Sequence, residues 1–364
     1  MPAPDPLFLQ VREFPYGVLE PEVIRIPVFL QIGKMLNSSD LSRSLIRYCE
    51  PSTRHALFEV AVTLIPLSVL WVAMWFSLDV GYWLTLLLAV PAAGFMVRLF
   101  IIQHDCGHGA FFRYRAANGW VGRILGVLTL TPYDYWKRNH AIHHATSSNL
   151  DRRGIGDIEL LTVREYLGKS WWGRVAYRCY RSPPVMFVIG PAYMFFLQHR
   201  LPFHQMRDGW RPWISTMATN AAIALVVAGM CWLVGVGPFL KVHLPIMLMA
   251  ASMGVWLFYV QHQFEDVMWA RGQGWSHLDA ALLGSSYYEL PALLRWFSGN
   301  IGIHHIHHLN SRIPYYRLPK ALQDHPELNS VGRLTLWNSL KGVRLSLWCE
   351  SRKKLVSFKA ALSP

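Results

Sequence analysis

The sequence predicts an all-α integral membrane protein. Four transmembrane helices form two hairpins, and a helical cytoplasmic cap holds a histidine-rich dimetal site. Three observations lead there. Apolar residues make up 52% of the 364-residue chain and the mean hydropathy is positive, which favours a membrane protein over a soluble one. Four apolar stretches are long enough to span a bilayer. Three short histidine clusters lie outside those stretches.

In chain order, the first hairpin comprises Leu57 to Leu78 and Tyr82 to Ile102, and the second Ile214 to Gly235 and Leu240 to Val260. Each run approaches the roughly 20 apolar residues that a span needs. A fifth apolar stretch, Val185 to Leu197, follows Pro183-Pro184 and has only 13 residues. It reads as interfacial or re-entrant. The chain therefore divides into an N-terminal cytoplasmic or interfacial segment (1–56), the first hairpin (57–102), a cap segment with two histidine clusters (103–213), the second hairpin (214–260) and a C-terminal cap segment with the third cluster (261–364).

Of 35 Lys and Arg residues, 33 lie outside the hairpins, and only Arg98 and Lys241 lie within them. The positive-inside rule then places both termini and both long segments in the cytoplasm. Arg98, near the end of its span, is expected to snorkel. The first residues carry no long apolar run and do not read as a secretory signal. The net charge is +13. No nucleic-acid motif accompanies it, so membrane lipid or an acidic protein partner fits better. Five cysteines without a C-x-x-C pair argue against a disulfide framework or a cysteine-based zinc site.

The clusters are His104-Asp105-Cys106-Gly107-His108, His140-Ala141-Ile142-His143-His144 and His304-His305-Ile306-His307-His308. Neutral imidazole is a favoured ligand of transition metals. Residues three and four apart share a helix face, so each box is expected to aim its histidines at one point. His305 falls at the edge of the arc, and its counterpart in the second box is Ala141. It is therefore assigned a supporting role. That leaves His104, His108, His140, His143, His144, His304, His307 and His308 as candidate ligands. His262 is a ninth candidate and His277 a weaker rival for its place. Eight or nine imidazoles exceed the needs of one first-row metal and suit two. Iron is favoured on chemistry, although spacing does not select it. Asp105, Asp157, Glu265 and Asp266 are candidate acceptors for ring N–H groups.

Isolated histidines such as His55 and His199 are ordinarily surface or hydrogen-bonded residues. A metal transporter is the non-enzyme alternative. It would want ligands or acids within the membrane, where the spans offer Glu59, Arg98, Lys241 and His243.

Taken together, these residues resemble the membrane fatty acid desaturase family. The match extends beyond the boxes to His104–Phe112, His140–Tyr166, Tyr259–Asp266 and Gly299–Asn310, and covers roughly Pro51 to Leu318. It is most like bacterial and cyanobacterial acyl-lipid desaturases of the Δ12 (omega-6) and Δ5 type, with Δ12 favoured. The resemblance implies a non-haem di-iron centre with two iron ions, dioxygen as co-substrate and an acyl lipid as substrate. It carries the ligand role onto the eight box histidines and matches His262 to the subgroup's extra histidine. Animal acyl-CoA relatives hold an Asn four residues before that histidine. Here the position is Phe258, which leaves Asn300 or Gln261 as the alternative.

Removing hydrogen from an unactivated methylene is beyond any side-chain acid or base, and a metal–oxygen cofactor is needed for it. There is no G-x-G-x-x-G fingerprint and no His-Pro-Gly-Gly haem motif. Electrons are thus expected from an external donor, a ferredoxin or a cytochrome b5-like protein, docking on the basic face. An alkane hydroxylase-type di-iron monooxygenase is the enzymatic alternative, and carotenoid oxidation a weaker one.

Overall fold

A computed structural model describes residues 38–362. Most of the N-terminal segment expected to be interfacial lies outside the described residues. A short helix α1 (Ser38–Leu45) leads to α2 (Thr53–Ser77), which begins ahead of its apolar run because Ser52 caps it, its hydroxyl accepting the His55 N–H at 3.4 Å. A tight turn connects α2 to α3 (Tyr82–His108). There follow α4 (Arg115–Leu128), α5 (Tyr133–Thr146), α6 (Val163–Leu167), α7 (Trp171–Tyr180) and α8 (Gly190–Phe196). The second hairpin is α9 (Trp210–Val234) and α10 (Val236–His262), and α11 (His277–Leu283), α12 (Ala292–Phe297) and α13 (His304–Leu309) lie beyond it.

Helices α2, α3, α9 and α10 are each long and apolar enough to cross a membrane, and the chain is an integral membrane protein. They are not equivalent. In its most apolar window α3 is 61% buried, whereas α9 is 6% buried. Helix α3 is therefore the central post, packed between α2 and α10, and α9 is the more peripheral, packing on α4, α5 and α10 with few fully buried residues. The stretch Val185–Leu197 forms a π-helical turn (Val185–Ile189) running into α8, and Phe187 packs edge-on against Trp256 and Tyr259 of α10.

One expectation is corrected. Arg98 does not snorkel. Its side chain is 2% exposed, pairs with Glu59 of α2, donates to the Trp296 carbonyl and lies 4.1 Å from the Trp296 ring. A guanidinium this deep needs a counter-charge and acceptors, and both are supplied by neighbours distant in sequence. The cap is mostly helical, as expected, and also carries short strands. Strand β1 (Leu161–Thr162) pairs parallel with β4 (Leu347–Cys349), which pairs antiparallel with β5 (Lys354–Val356). Strand β2 (Tyr287–Glu289) pairs parallel with β3 (Arg333–Thr335). Strands of two or three residues are too short to show alternation. The β1–β4 pair stitches the C-terminal segment onto the segment that carries the second box, and the other two pairs lie within the C-terminal segment itself.

Candidate metal centre

Box one is the last turn of α3. Gly109, with φ of +68°, ends the helix in the left-handed conformation directly after His108. Box two is the last part of α5, and box three is α13 itself. His262 is the final residue of α10.

These elements bring nine imidazoles into two groups. His104, His108, His140, His144 and His307 form one, and His143, His262, His304 and His308 the other. In each group the candidate ligand atoms all lie within 4.8 Å of one another. The expectation that each box aims at a single point is corrected. Boxes two and three each serve both groups. The reason is angular: at about 100° per residue, a ring four positions on is displaced by roughly +40° and a ring three positions on by roughly −60°. The i,i+4 pairs His140/His144 and His304/His308 therefore stay together, while His143 and His307 turn to the neighbouring group.

The ring nitrogens test whether a metal fits. His143 Nδ1 lies 2.5 Å from Asp157 Oδ1, and His262 Nδ1 lies 3.1 Å from the Gly284 carbonyl. Both partners accept, so both Nδ1 atoms carry the proton and both Nε2 atoms present lone pairs. Those Nε2 atoms are 3.1 Å apart, and His262 Nε2 is 3.0 Å from His304 Nε2. Facing lone pairs at that distance repel unless a cation lies between them. In the first group His104 Nδ1 is 3.0 Å from Asp105 Oδ1, and Nε2 contacts of 3.0–3.3 Å run from His104 through His108, His140 and His144 to His307. A set of four or five neutral nitrogens is a transition-metal donor set, and iron belongs to that class.

Electrostatics agree. Burial, reinforced by neighbouring imidazoles, holds the pKa values of His140, His144, His304, His307 and His308 well below the usual histidine value. The rings are neutral at pH 7 and their lone pairs are available for a metal. The groups differ in access: every residue of the second is buried, whereas His108, His140 and His144 of the first are only half-buried.

The remaining candidates divide clearly. His305 belongs to neither group; its Nε2 lies 3.1 Å from the Leu328 carbonyl, and burial lowers its pKa to about 4. Asp105 and Asp157 face ring nitrogens of His104 and His143. Gly156 lets Asp157 do so: its φ is +73°, and a Cβ there would sit 3.0 Å from the Asn139 carbonyl oxygen. Glu265 and Asp266 are exposed and are not brought to the rings, and Glu265 pairs instead with Lys354 at 3.5 Å. The Asn300 amide donates to the Tyr315 carbonyl at 3.4 Å and that of Gln261 to the Ile301 carbonyl at 3.1 Å. His277 is exposed at the start of α11.

Sequence reasoning missed Trp136, which stacks on His140 at 4.7 Å and 14°. Its i,i+4 spacing from His140 is a readable signal. The carbonyls of Gly284 and Leu328 leave none. A cavity of about 660 Å³ is likewise invisible in the sequence. Met96, Val97 and Phe100 of α3 line one side, Met247, Ala250 and Gly254 of α10 another, and Tyr193 and Met194 of α8 a third. His104, His140 and His304 also line it. The arrangement is a largely apolar slot that leads from between two membrane helices to both histidine groups.

Comparison with known proteins agrees with this geometry. Residues 80–337 match the fatty acid desaturase family model. A Bacillus subtilis (strain 168) protein named fatty acid desaturase is 46% identical over 320 residues, covering 88% of this chain and 90% of that one. An omega-3 fatty acid desaturase of the endoplasmic reticulum from Vigna radiata is 28% identical, covering 78% of this chain and 75% of the relative. A Synechocystis protein named sn-1 acyl-lipid omega-3 desaturase (ferredoxin) is 29% identical, covering 62% of each chain.

Proposed function

The chain belongs to the fatty acid desaturase family and is an oxidoreductase acting on fatty acids, and from that premise we propose that it introduces a double bond into a lipid-linked acyl chain at a non-haem di-iron centre, using dioxygen. The single observation that carries the reading is the convergence of nine imidazoles into two groups at the end of an apolar slot. His104, His108, His140, His144 and His307 would hold one iron, and His143, His262, His304 and His308 the other. When bound, the iron pair supplies the dioxygen chemistry that unactivated methylenes require.

This chain's residues do the rest. Asp157 and the Gly284 carbonyl fix the tautomers of His143 and His262, so that each Nε2 is free to bind a metal held there. The slot between α3 and α10 takes the hydrocarbon, excludes water and sets which carbons lie beside His104 and His304. Trp136 and Phe258 pack against the imidazoles and narrow the approach. Forming one double bond while dioxygen becomes two waters consumes two electrons and two protons from outside. The first histidine group, half-exposed at His108, His140 and His144, is the entry we propose for them. The donor is a ferredoxin or a cytochrome b5-like protein, for which the ferredoxin in the Synechocystis relative's name is a precedent. The distribution of Lys and Arg supports a cytoplasmic site in a bacterial inner membrane. The segments 103–213 and 261–364 would act as one cap on that side.

The motif resemblance supports Δ12 (omega-6) regiochemistry, and Δ5 is the neighbouring alternative. Expression in a bacterium that makes no polyunsaturated lipid, followed by gas chromatography–mass spectrometry of derivatised acyl chains, tests both levels of the proposal. A new double bond whose position is read from the fragments supports it. Hydroxylated chains alone would mean a monooxygenase instead.

A further inference from the structure

One buried network touches neither the acyl slot nor, for most of its members, the imidazoles. On α3, Arg98 and Asp105 are seven residues apart, so they point within about 20° of each other and are separated by ~10 Å along the axis. Tyr315 lies along the helix between them. Its backbone N–H donates to Asp105 Oδ2 at 2.6 Å, and its hydroxyl donates to Glu59 Oε2 at 2.8 Å. Arg98 pairs with the same Glu59, and its guanidinium lies 5.3 Å from the Tyr315 ring. His55 lies 3.0 Å from Glu59 Oε1, and the Asn300 amide donates to the Tyr315 carbonyl. Asp105 Oδ1, the remaining oxygen, is the one that faces His104 Nδ1 at 3.0 Å. Arg98, Glu59, Asp105 and Tyr315 are all buried.

We propose that Tyr315 is a positioning residue for the metal centre: a strut anchored on the Glu59–Arg98 pair that holds Asp105 against His104 and so sets the orientation of one ligand of the five-histidine site. This rests on the reading of His104 as a ligand. A buried ion pair is weak evidence of stabilisation, because desolvating the two charges offsets their attraction. An arrangement that fixes one orientation of an acceptor is a use for such a pair that a bare stability argument does not supply. The two contacts of Tyr315 act differently. Its peptide nitrogen orients the carboxylate, and its hydroxyl fixes where that nitrogen lies.

The clean perturbation is Tyr315→Phe, which deletes the hydroxyl and keeps the ring and the N–H. The full chain, purified in detergent and loaded anaerobically with ferrous iron, is challenged with a chelator. Release is followed by absorbance, and the iron remaining is assigned by Mössbauer spectra. The expected result is that one iron equivalent leaves about tenfold faster, as for loss of an outer partner of a metal ligand, while the other equivalent leaves at the native rate. Unchanged release of both, or equal acceleration of both with a lowered midpoint, overturns the strut. Glu59→Gln is the second variant. Combined with Tyr315→Phe, it is expected to add nothing beyond either single change, whereas full additivity would disconnect the two residues and overturn the proposal. His104→Ala separates the levels: if it keeps both irons at the native release rate, the metal-centre reading fails rather than the strut alone.

Discussion

Filling the slot at Gly254 gives the sharpest test of how the substrate lies. Gly254 lines the cavity, and a Cβ built there meets nothing within 4 Å. It precedes His262 by eight residues, or about 12 Å along α10, so it flanks the path that hydrocarbon beyond the metals would take toward Met247. Gly254→Leu adds four carbons to that space and displaces about four methylenes of a bound chain. At ~0.8 kcal/mol per buried methylene the loss is about 3 kcal/mol, or roughly a hundredfold in kcat/KM for acyl chains long enough to reach Gly254. Shorter chains should be spared. Replacing glycine in a helix interior by leucine is also favourable for the helix, by up to about 1 kcal/mol, so misfolding does not compete as an explanation. The assay supplies acyl chains of graded length to cells expressing either protein and compares product ratios. An unchanged length preference in a fully expressed, iron-loaded variant would refute the assignment of this slot to the acyl chain.

Four further outcomes are expected. Asp157→Asn keeps an acceptor for His143 but removes its charge, and should weaken iron binding at the four-histidine site about 10- to 100-fold, read by equilibrium competition with a chelator. His143→Ala and His307→Ala should each abolish turnover and lower iron per protein, measured by elemental analysis. His305→Ala should retain both irons and instead cost about 1–3 kcal/mol of stability, because the buried Leu328 carbonyl loses its donor; loss of iron without destabilisation would make His305 a ligand. The folded pKa of His305 is about 4, below the ordinary 6.5, so in metal-free protein its contribution is intact above pH 6.5 and is lost as pH falls toward 4. The unfolded chain binds the proton first in that window. His305→Gln should therefore flatten the fall in unfolding midpoint between pH 7 and 5.

The spans are legible in the sequence because their signal is length and apolarity, which need no tertiary knowledge. The histidine boxes are legible because the i,i+4 spacing is local. The division of labour within each box is harder to read, although it too follows from helix angles: a roughly 100° arc passes for one direction when it is wide enough for two. Glu265 and Asp266 look like supporting acids because they lie beside His262 in sequence. Helix α10 ends at His262, and past that point sequence proximity no longer implies a shared face. Arg98 defeats the reading differently: its partner Glu59 lies on the preceding helix and its carbonyl acceptor belongs to Trp296. Pairings across such separations, like the two- and three-residue strands, exist only once the chain has folded.

The late strand at Leu347–Cys349, seated beside Leu161–Thr162, has a consequence for biosynthesis. The membrane anchor can be inserted while the ribosome is still at work, yet the strand that follows the second box gains its partner only from residues translated well after the second hairpin. A nascent chain interrupted before then would sit in the bilayer with its hairpins in place and its cap unsealed. Sealing of the cap would thus wait on the last few dozen residues of the chain, after all three histidine boxes have been made.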